Sequence, residues 1–143
     1  MTITYFSKSS PIGPSSRYRV FQFLPHFQIA GIDCRVEPLF GATYFSILTL
    51  RSSVLRTCLK IPYVCVRFLK RLGTLLTLGR RDLVVIEGQL FPYAPPVAER
   101  LLRWCRYRVV IEMDDAIYLT RGHEKKMPAL LTMATGAIVG NER

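Results

Sequence analysis

Short apolar runs alternate along the chain with segments in which apolar residues recur at helical spacing. Runs rich in β-branched and aromatic residues predict strands, because such side chains pack well on a pleated sheet. The predicted strands are residues 2–7, 32–40, 82–87, 108–113 and 136–140. Further helices are predicted over residues 97–106 and 125–135. We find no internal repeat and no low-complexity segment.

The first predicted helix begins near Arg17, after a loop rich in serine, glycine and proline. Ser15 or Ser16 is suited to cap it, because a hydroxyl can accept a hydrogen bond from the first free N–H groups. Pro25 conflicts with one straight helix, at a cost of about 3 kcal/mol in an interior position. We expect a kink there, or a break at which Pro25 opens a second segment.

Residues 42–79 are predicted to be helical, and Pro62 is predicted to divide them into two helices. Four basic residues share one helical face, and leucines and cysteines cluster on another. The basic face consists of Arg56, Lys60, Arg67 and Arg71. Two interpretations stay open: the basic face lies on an anionic membrane surface, or the segment is an ordinary surface helix whose apolar face packs on the sheet.

The alternation of strands and helices predicts the α/β class. The later strands are almost continuously apolar, which is typical of parallel strands buried on both faces. We therefore expect a Rossmann-like parallel sheet with right-handed crossovers and helices on both faces. The 143 residues have the length of a single domain.

The net charge of +10 favours anionic partners such as phosphates or lipid headgroups. Nucleic acid is an unlikely partner, because the basic residues are dispersed and no nucleic-acid-binding motif accompanies them. The four cysteines form no C-x-x-C pair, so neither a zinc site nor a redox motif is indicated. We find no signal peptide and no apolar run long enough to span a bilayer, and we expect a cytoplasmic protein.

Two adjacent carboxylates, Asp114 and Asp115, follow the fourth predicted strand and precede Tyr118. Like charges do not share an interior without partners, so the chain should reach the surface there. The carboxyl ends of parallel strands are where open sheets bind ligands, which makes both aspartates candidate catalytic residues. Alternatively, Asp115 caps a following turn or helix.

Two further candidates lie at the same predicted edge. Ser15, Ser16 and Arg17 follow the first strand and open a helix, where free N–H groups and arginine suit an anion such as phosphate. No Walker A or G-x-G-x-x-G pattern is present, so a plain connection stays possible. Glu87 ends the third strand and could contact a polar ligand. His123 is interpreted as a solvated loop residue.

Several segments, in the expected order, resemble the amino-terminal half of a group 1 (family 4) glycosyltransferase, a two-domain enzyme of GT-B fold. They are Gly13-Pro14-Ser15-Ser16-Arg17-Tyr18-Arg19, Leu24-Pro25, Gly31-Ile32, Pro38-Leu39-Phe40, Asp82-Leu83-Val84, Leu90-Phe91-Pro92, Asp114-Asp115-Ala116-Ile117-Tyr118 and Gly140-Asn141. The resemblance covers nearly the whole chain except residues 42–79. Gly88-Gln89 departs from it, since relatives often carry charged residues there.

The resemblance implies an acceptor-binding domain in which Ser15, Ser16, Arg17, Glu87 and Tyr118 face a cleft. The nucleotide-sugar donor would bind a second domain, which is absent here, so we expect a fragment that is inactive alone. Asp114 or Asp115 would orient a hydroxyl of a glycan or lipid-linked acceptor, and Arg17 would lie near phosphate. The resemblance implies metal-independent transfer, and we expect no cofactor. A non-catalytic binding module and a peripheral membrane adaptor are the alternatives.

Overall fold

The computed structural model describes residues 2–92, 94–113 and 126–140. Within these ranges the chain has the expected α/β architecture, with a five-stranded sheet in which every pair of neighbours is parallel. The strands are β1 Thr2–Phe6, β2 Asp33–Val36, β3 Leu83–Glu87, β4 Arg108–Met113 and β5 Gly136–Val139. Their spatial order is β2-β1-β3-β4-β5. The predicted Rossmann-like class is therefore confirmed.

The helices that connect these strands are α1 Pro14–Arg19, α2 Leu24–Ile29, α3 Ala42–Leu48, α4 Ser53–Leu76, α5 Val97–Trp104 and α6 Lys126–Met133. A short 3-10 turn, Phe21–Phe23, separates α1 from α2. Pro25 lies in the first turn of α2, where a proline has no N–H bond to lose. Of the two outcomes expected at Pro25, the break is the one observed.

Two apolar clusters lie on opposite faces of the sheet, because successive side chains of a strand point to opposite sides. On one face Phe6, Ile86 and Ile111 pack with Leu102 of α5 and Leu130 of α6. On the other face the buried cluster contains Ile3, Tyr5, Val20 and Val85, with residues of the 3-10 turn and α2 packed against it. Helices on both faces explain why the strands are almost continuously apolar.

The prediction that Pro62 divides residues 42–79 at that point is wrong, because α4 continues through Pro62. A proline inside a helix leaves the carbonyl four residues earlier without its usual donor. Here that residue is Cys58, and both Cys58 and Pro62 are exposed. Water can therefore hydrogen-bond to the freed carbonyl, which reduces the cost of an uninterrupted helix.

The orientation of α4 is the reverse of both sequence-based interpretations. Arg71 is only 4% exposed and faces the sheet, and Arg67 donates to the carbonyls of Pro38 and Leu39. The leucines and cysteines of the expected apolar face are exposed, whereas Phe68 and Leu75 of the same helix pack against the core. Arg67 and Arg71 are therefore engaged inside the protein, and the membrane-facing assignment is wrong for them.

Arg71 binds backbone carbonyls that follow three different strands. Its guanidinium donates to Ser7 O after β1 at 2.6 Å, to Glu37 O after β2 at 2.8 Å and to Leu90 O after β3 at 2.9 Å. Carbonyls beyond strand ends lack ladder partners, and arginine offers five donors in a fixed plane. Burial, and then the charge of Arg67, lower the pKa of Arg71 to about 9, so the guanidinium stays charged at neutral pH.

Candidate functional site at the carboxyl edge of the sheet

The strand order creates a switch point between β1 and β3. The connection from β1 runs to β2 through α1 and α2 on one face, whereas β3 connects to β4 through α5 on the other face. The two connections leave their strands on opposite faces of the sheet, and such a switch point usually forms a crevice above the carboxyl ends. In open parallel sheets this crevice is the usual ligand site, and the residues that line it here come from β1, β3, β4 and α1.

Glu87 lies at the end of β3 in this crevice, as the sequence predicted, but it is 6% exposed and fully engaged with the protein. One carboxylate oxygen accepts from Lys8 N at 2.9 Å and from Ser16 Oγ at 2.7 Å. The other accepts from Ser15 Oγ at 2.9 Å. These bonds attach the amino end of α1 and the end of β1 to β3.

The start of α1 is built around small side chains. Ser16 Oγ lies 2.9 Å from Ser9 Oγ and accepts from Ser9 N at 3.0 Å. Gly13 is buried against the same group, and a Cβ atom built there would lie 1.9 Å from Ser9 Oγ. Only glycine fits this close approach between the loop and the helix start.

The structure corrects the expectation that Ser15 or Ser16 caps a helix starting near Arg17. The helix begins at Pro14, with Gly13 as the capping position, so both serines lie in its first turn. Their hydroxyls bind Glu87, and the protein's own carboxylate therefore stands where a phosphate was expected. Arg17 is exposed, and its guanidinium lies 5.0 Å from the centre of the Tyr18 ring.

A second carboxylate, Glu112, lies beside Glu87 on β4. Its side chain accepts a short hydrogen bond from the hydroxyl of Tyr5 on β1. Burial raises the pKa of Glu112, and the charge of Glu87 adds to that rise, while the Tyr5 hydrogen bond and the charge of Arg19 oppose it. Burial, followed by the hydrogen bond to Glu112, also raises the pKa of Tyr5.

Sequence reasoning missed Glu112 and Tyr5, although one signal was available for Glu112. The tetrapeptide Val-Val-Ile-Glu occurs twice, at residues 84–87 and 109–112, and the two copies are paired residue for residue in the sheet. This four-residue repeat contradicts the expectation that the chain contains no internal repeat. A glutamate at the same place in two equal strands predicts two neighbouring carboxylates on one face.

Three of the predicted site residues cannot be placed. Asp114, Asp115 and Tyr118 lie outside the described residues, as does His123. Asp114 follows Met113, the last residue of β4, directly in the chain. Among the residues that the structure does describe, no group of histidine, cysteine, aspartate or glutamate side chains could hold a metal ion.

Comparison of the chain with models of known protein families, with curated proteins and with solved structures finds no match. The geometry of the crevice, together with the sequence resemblance, is therefore the basis for any functional hypothesis. In chemical terms, Glu112 is the half-buried carboxylate at this edge, beside Glu87, whose oxygens are already bonded, and Tyr5, whose hydroxyl donates to Glu112. Such groups suit a ligand that presents several hydroxyls.

Proposed function

We propose that this chain is the acceptor-side domain of a glycosyltransferase that moves a sugar from a nucleotide-sugar donor to a hydroxyl of a glycan or glycolipid. The observation that carries the proposal is the pair Glu87 and Glu112 at the carboxyl edge of a parallel sheet, next to its switch point. The resemblance of the sequence to the amino-terminal half of family 4 glycosyltransferases supports the same assignment.

The two glutamates have different roles in this proposal. Glu87 shapes the crevice, because its oxygens are held by Lys8, Ser15 and Ser16. Glu112 is half-buried and accepts from Tyr5. A carboxylate has about four lone-pair directions, so Glu112 retains capacity to accept hydrogen bonds from sugar hydroxyls. Asp114 and Asp115, next along the chain, would then orient the hydroxyl that receives the sugar.

The donor would bind a second domain, and transfer would need both walls of the cleft to hold the substrates in reacting geometry. On this proposal the chain by itself binds acceptor but does not turn over. A binding module without catalysis is the competing hypothesis. It predicts the same binding in the crevice, but no transfer when a donor domain is joined to the chain.

The proposal is tested by NMR titration of the ¹⁵N-labelled chain with methyl β-D-glucoside, methyl β-D-galactoside and n-octyl β-D-glucoside, with a nucleotide sugar as the donor-side probe. We expect saturable shifts of the backbone amides of residues 7–9, 87–88 and 112–113 with at least one glycoside. The variant Glu112→Gln should weaken binding about tenfold, because the sugar hydroxyls would bond to a neutral amide in place of a charged carboxylate. The matched control Asp33→Asn, at the exposed start of β2, should bind as the wild type does.

Two results would contradict the proposal. One is the absence of saturable shifts at the crevice with every glycoside. The other is a response to the nucleotide sugar alone, since that would make this domain the donor side. Glycoside binding that Glu112→Gln leaves unchanged would move the acceptor site away from the glutamate pair.

A further inference from the structure

The carboxyl-terminal ends of α4 and α5 meet at the edge of the sheet opposite to the crevice. Helix α4 ends shortly before β3 begins, and α5 ends shortly before β4 begins. Because β3 and β4 are parallel, both helix ends lie at the edge where the strands start. The hydroxyl of Tyr107, after α5, donates to Leu78 O, after α4, at 3.0 Å, which fixes the two ends side by side.

Each of these helix ends presents a large apolar side chain to solvent. Leu76 and Trp104 are both 82% exposed. Helix α4 extends this apolar surface along its length, at positions that recur at helical spacing. Its exposed apolar residues include Val54, Leu55, Leu59, Val66, Leu69 and Leu72. A row from Leu55 to Leu76 is about 30 Å long.

Arginines surround the two apolar side chains. Arg80 and Arg81 follow α4, Arg103 belongs to α5, and Arg106 follows it; all four are exposed. From residue 38 to residue 81 the sequence contains eight basic residues and no acidic one. We call the group of Leu76, Arg80, Arg81, Arg103, Trp104 and Arg106 the strand-start patch.

The acidic residues nearest to the patch in sequence are Asp82 and Glu99. Asp82 accepts a hydrogen bond from Gly79 N at 2.8 Å in the turn after α4. Glu99 is 3% exposed and accepts from Leu90 N at 3.2 Å. Glu99 is buried, and Asp82 supplies one negative charge beside four exposed arginines, so the patch keeps a net positive charge around an apolar centre.

We infer that the strand-start patch binds the surface of an anionic lipid bilayer, with Trp104 and Leu76 inserted between headgroups. Arginines attract an anionic surface, tryptophan favours the boundary between water and acyl chains, and the exposed row of α4 adds apolar area. None of the helices within the described ranges is long and apolar enough to cross a bilayer, so the inferred contact lies along the surface. This surface differs from the basic face expected from the sequence, which includes the inward-facing Arg67 and Arg71.

Trp104 is the only tryptophan of the chain, so tryptophan fluorescence reports directly on the strand-start patch. The experiment titrates the full chain with vesicles of phosphatidylcholine and phosphatidylglycerol and follows tryptophan emission. We expect a blue shift, protection from acrylamide, and quenching by lipids brominated near the headgroup. Vesicles of phosphatidylcholine alone should produce little change, and rising salt should reverse binding to the anionic vesicles.

A vesicle flotation assay on variants distinguishes binding through the strand-start patch from nonspecific binding. Arg80→Gln/Arg81→Gln should weaken binding about tenfold to thirtyfold, and Leu76→Ser should weaken it severalfold. The matched controls are Arg17→Gln/Arg35→Gln for charge and Ile29→Ser for apolar exposure. Ile29 is 85% exposed but belongs to α2, on the other face of the sheet. These controls should bind like the wild type, and circular dichroism should show that every variant is folded.

Three results would overturn the inference. The first is equal binding to neutral and anionic vesicles, or no binding to either. The second is an emission shift on concentrating the protein alone, which would assign the patch to contact between copies of the chain. The third is a shift with a short single-stranded oligonucleotide that exceeds the shift with vesicles, since this would assign it to nucleic acid. The outcome is independent of glycoside binding, because the crevice lies at the opposite edge.

Discussion

Glu87 and Glu112 lie side by side on the parallel strands β3 and β4, at the same position of two identical tetrapeptides. Their environments differ. Glu87 accepts hydrogen bonds from one backbone N–H and two serine hydroxyls. Glu112 accepts from Tyr5, and burial together with the charge of Glu87 raises its pKa. The two carboxylates therefore differ because of their surroundings. Glu87 is suited to a structural role at this edge, and Glu112 is suited to contact a ligand.

We expect Glu87→Ala to destabilise the fold by at least about 2 kcal/mol, because Lys8 N and the buried hydroxyl of Ser16 would lose their acceptor. Urea unfolding followed by circular dichroism measures this. The control Asp33→Ala removes a carboxylate from an exposed hydrogen bond with Thr2 and should change stability by less than about 0.5 kcal/mol. Equal effects of the two substitutions would mean that the Glu87 network does not support the fold.

Glu112 should make the stability of the protein fall as pH rises. Its pKa in the folded chain is raised above the model-peptide value of 4.5, so the folded state favours the protonated carboxyl group. The resulting stabilisation is present below pH 4.5 and is lost as pH rises through the raised pKa. Glu112→Gln, which stays neutral but can still accept from Tyr5, should flatten this fall.

The measurement is the unfolding free energy of wild type and Glu112→Gln, from below pH 4.5 upward through the raised pKa of Glu112. Glu99, whose pKa is also raised, mainly by burial, keeps its own contribution in both proteins. The difference between the two curves therefore isolates Glu112. The unfolding free energy of Glu112→Gln minus that of the wild type should increase as pH rises, and a decrease would contradict the assigned direction.

Arg71→Met should destabilise the protein by about 2–4 kcal/mol, because the carbonyls of Glu37 and Leu90 would lose their donor and Ser7 O would keep only the bond from Leu39 N. Arg71→Lys should be intermediate, since an ammonium group cannot reproduce the planar set of donors. Lys70→Met, an exposed neighbour on the same helix, is the control and should change stability little. Thermal and urea unfolding of the three variants give the ranking, and equal stability of Arg71→Met and Lys70→Met would contradict it.

The strands could be predicted from the sequence because strands buried on both faces contain continuous β-branched runs, such as Val84-Val85-Ile86 in β3. The orientation of α4 could not. Its basic residues were assumed to face outward, but Arg71 is needed inside, as a donor to carbonyls that follow three strands. That need arises only once the strands and loops are assembled. Glu112 was missed because it lies within an apolar run, where a carboxylate is not expected without a partner.

Arg106 offers the sharpest separation of stability from surface binding. It follows α5 with φ of 61°, in a left-handed conformation that favours glycine, while Arg106 N bonds to Arg103 O and Tyr107 N to Leu102 O, both at 3.0 Å. Arg106→Gly should therefore stabilise the fold by up to about 1 kcal/mol, because glycine adopts this conformation without steric cost. If the strand-start patch binds anionic lipid, the same variant should bind vesicles severalfold more weakly.

Arg106→Gln is the matched control, since it should weaken vesicle binding equally without any gain in stability. Melting temperature and vesicle flotation on both variants decide the matter, and a more stable Arg106→Gly protein that binds vesicles as well as the wild type would exclude this arginine from the lipid contact.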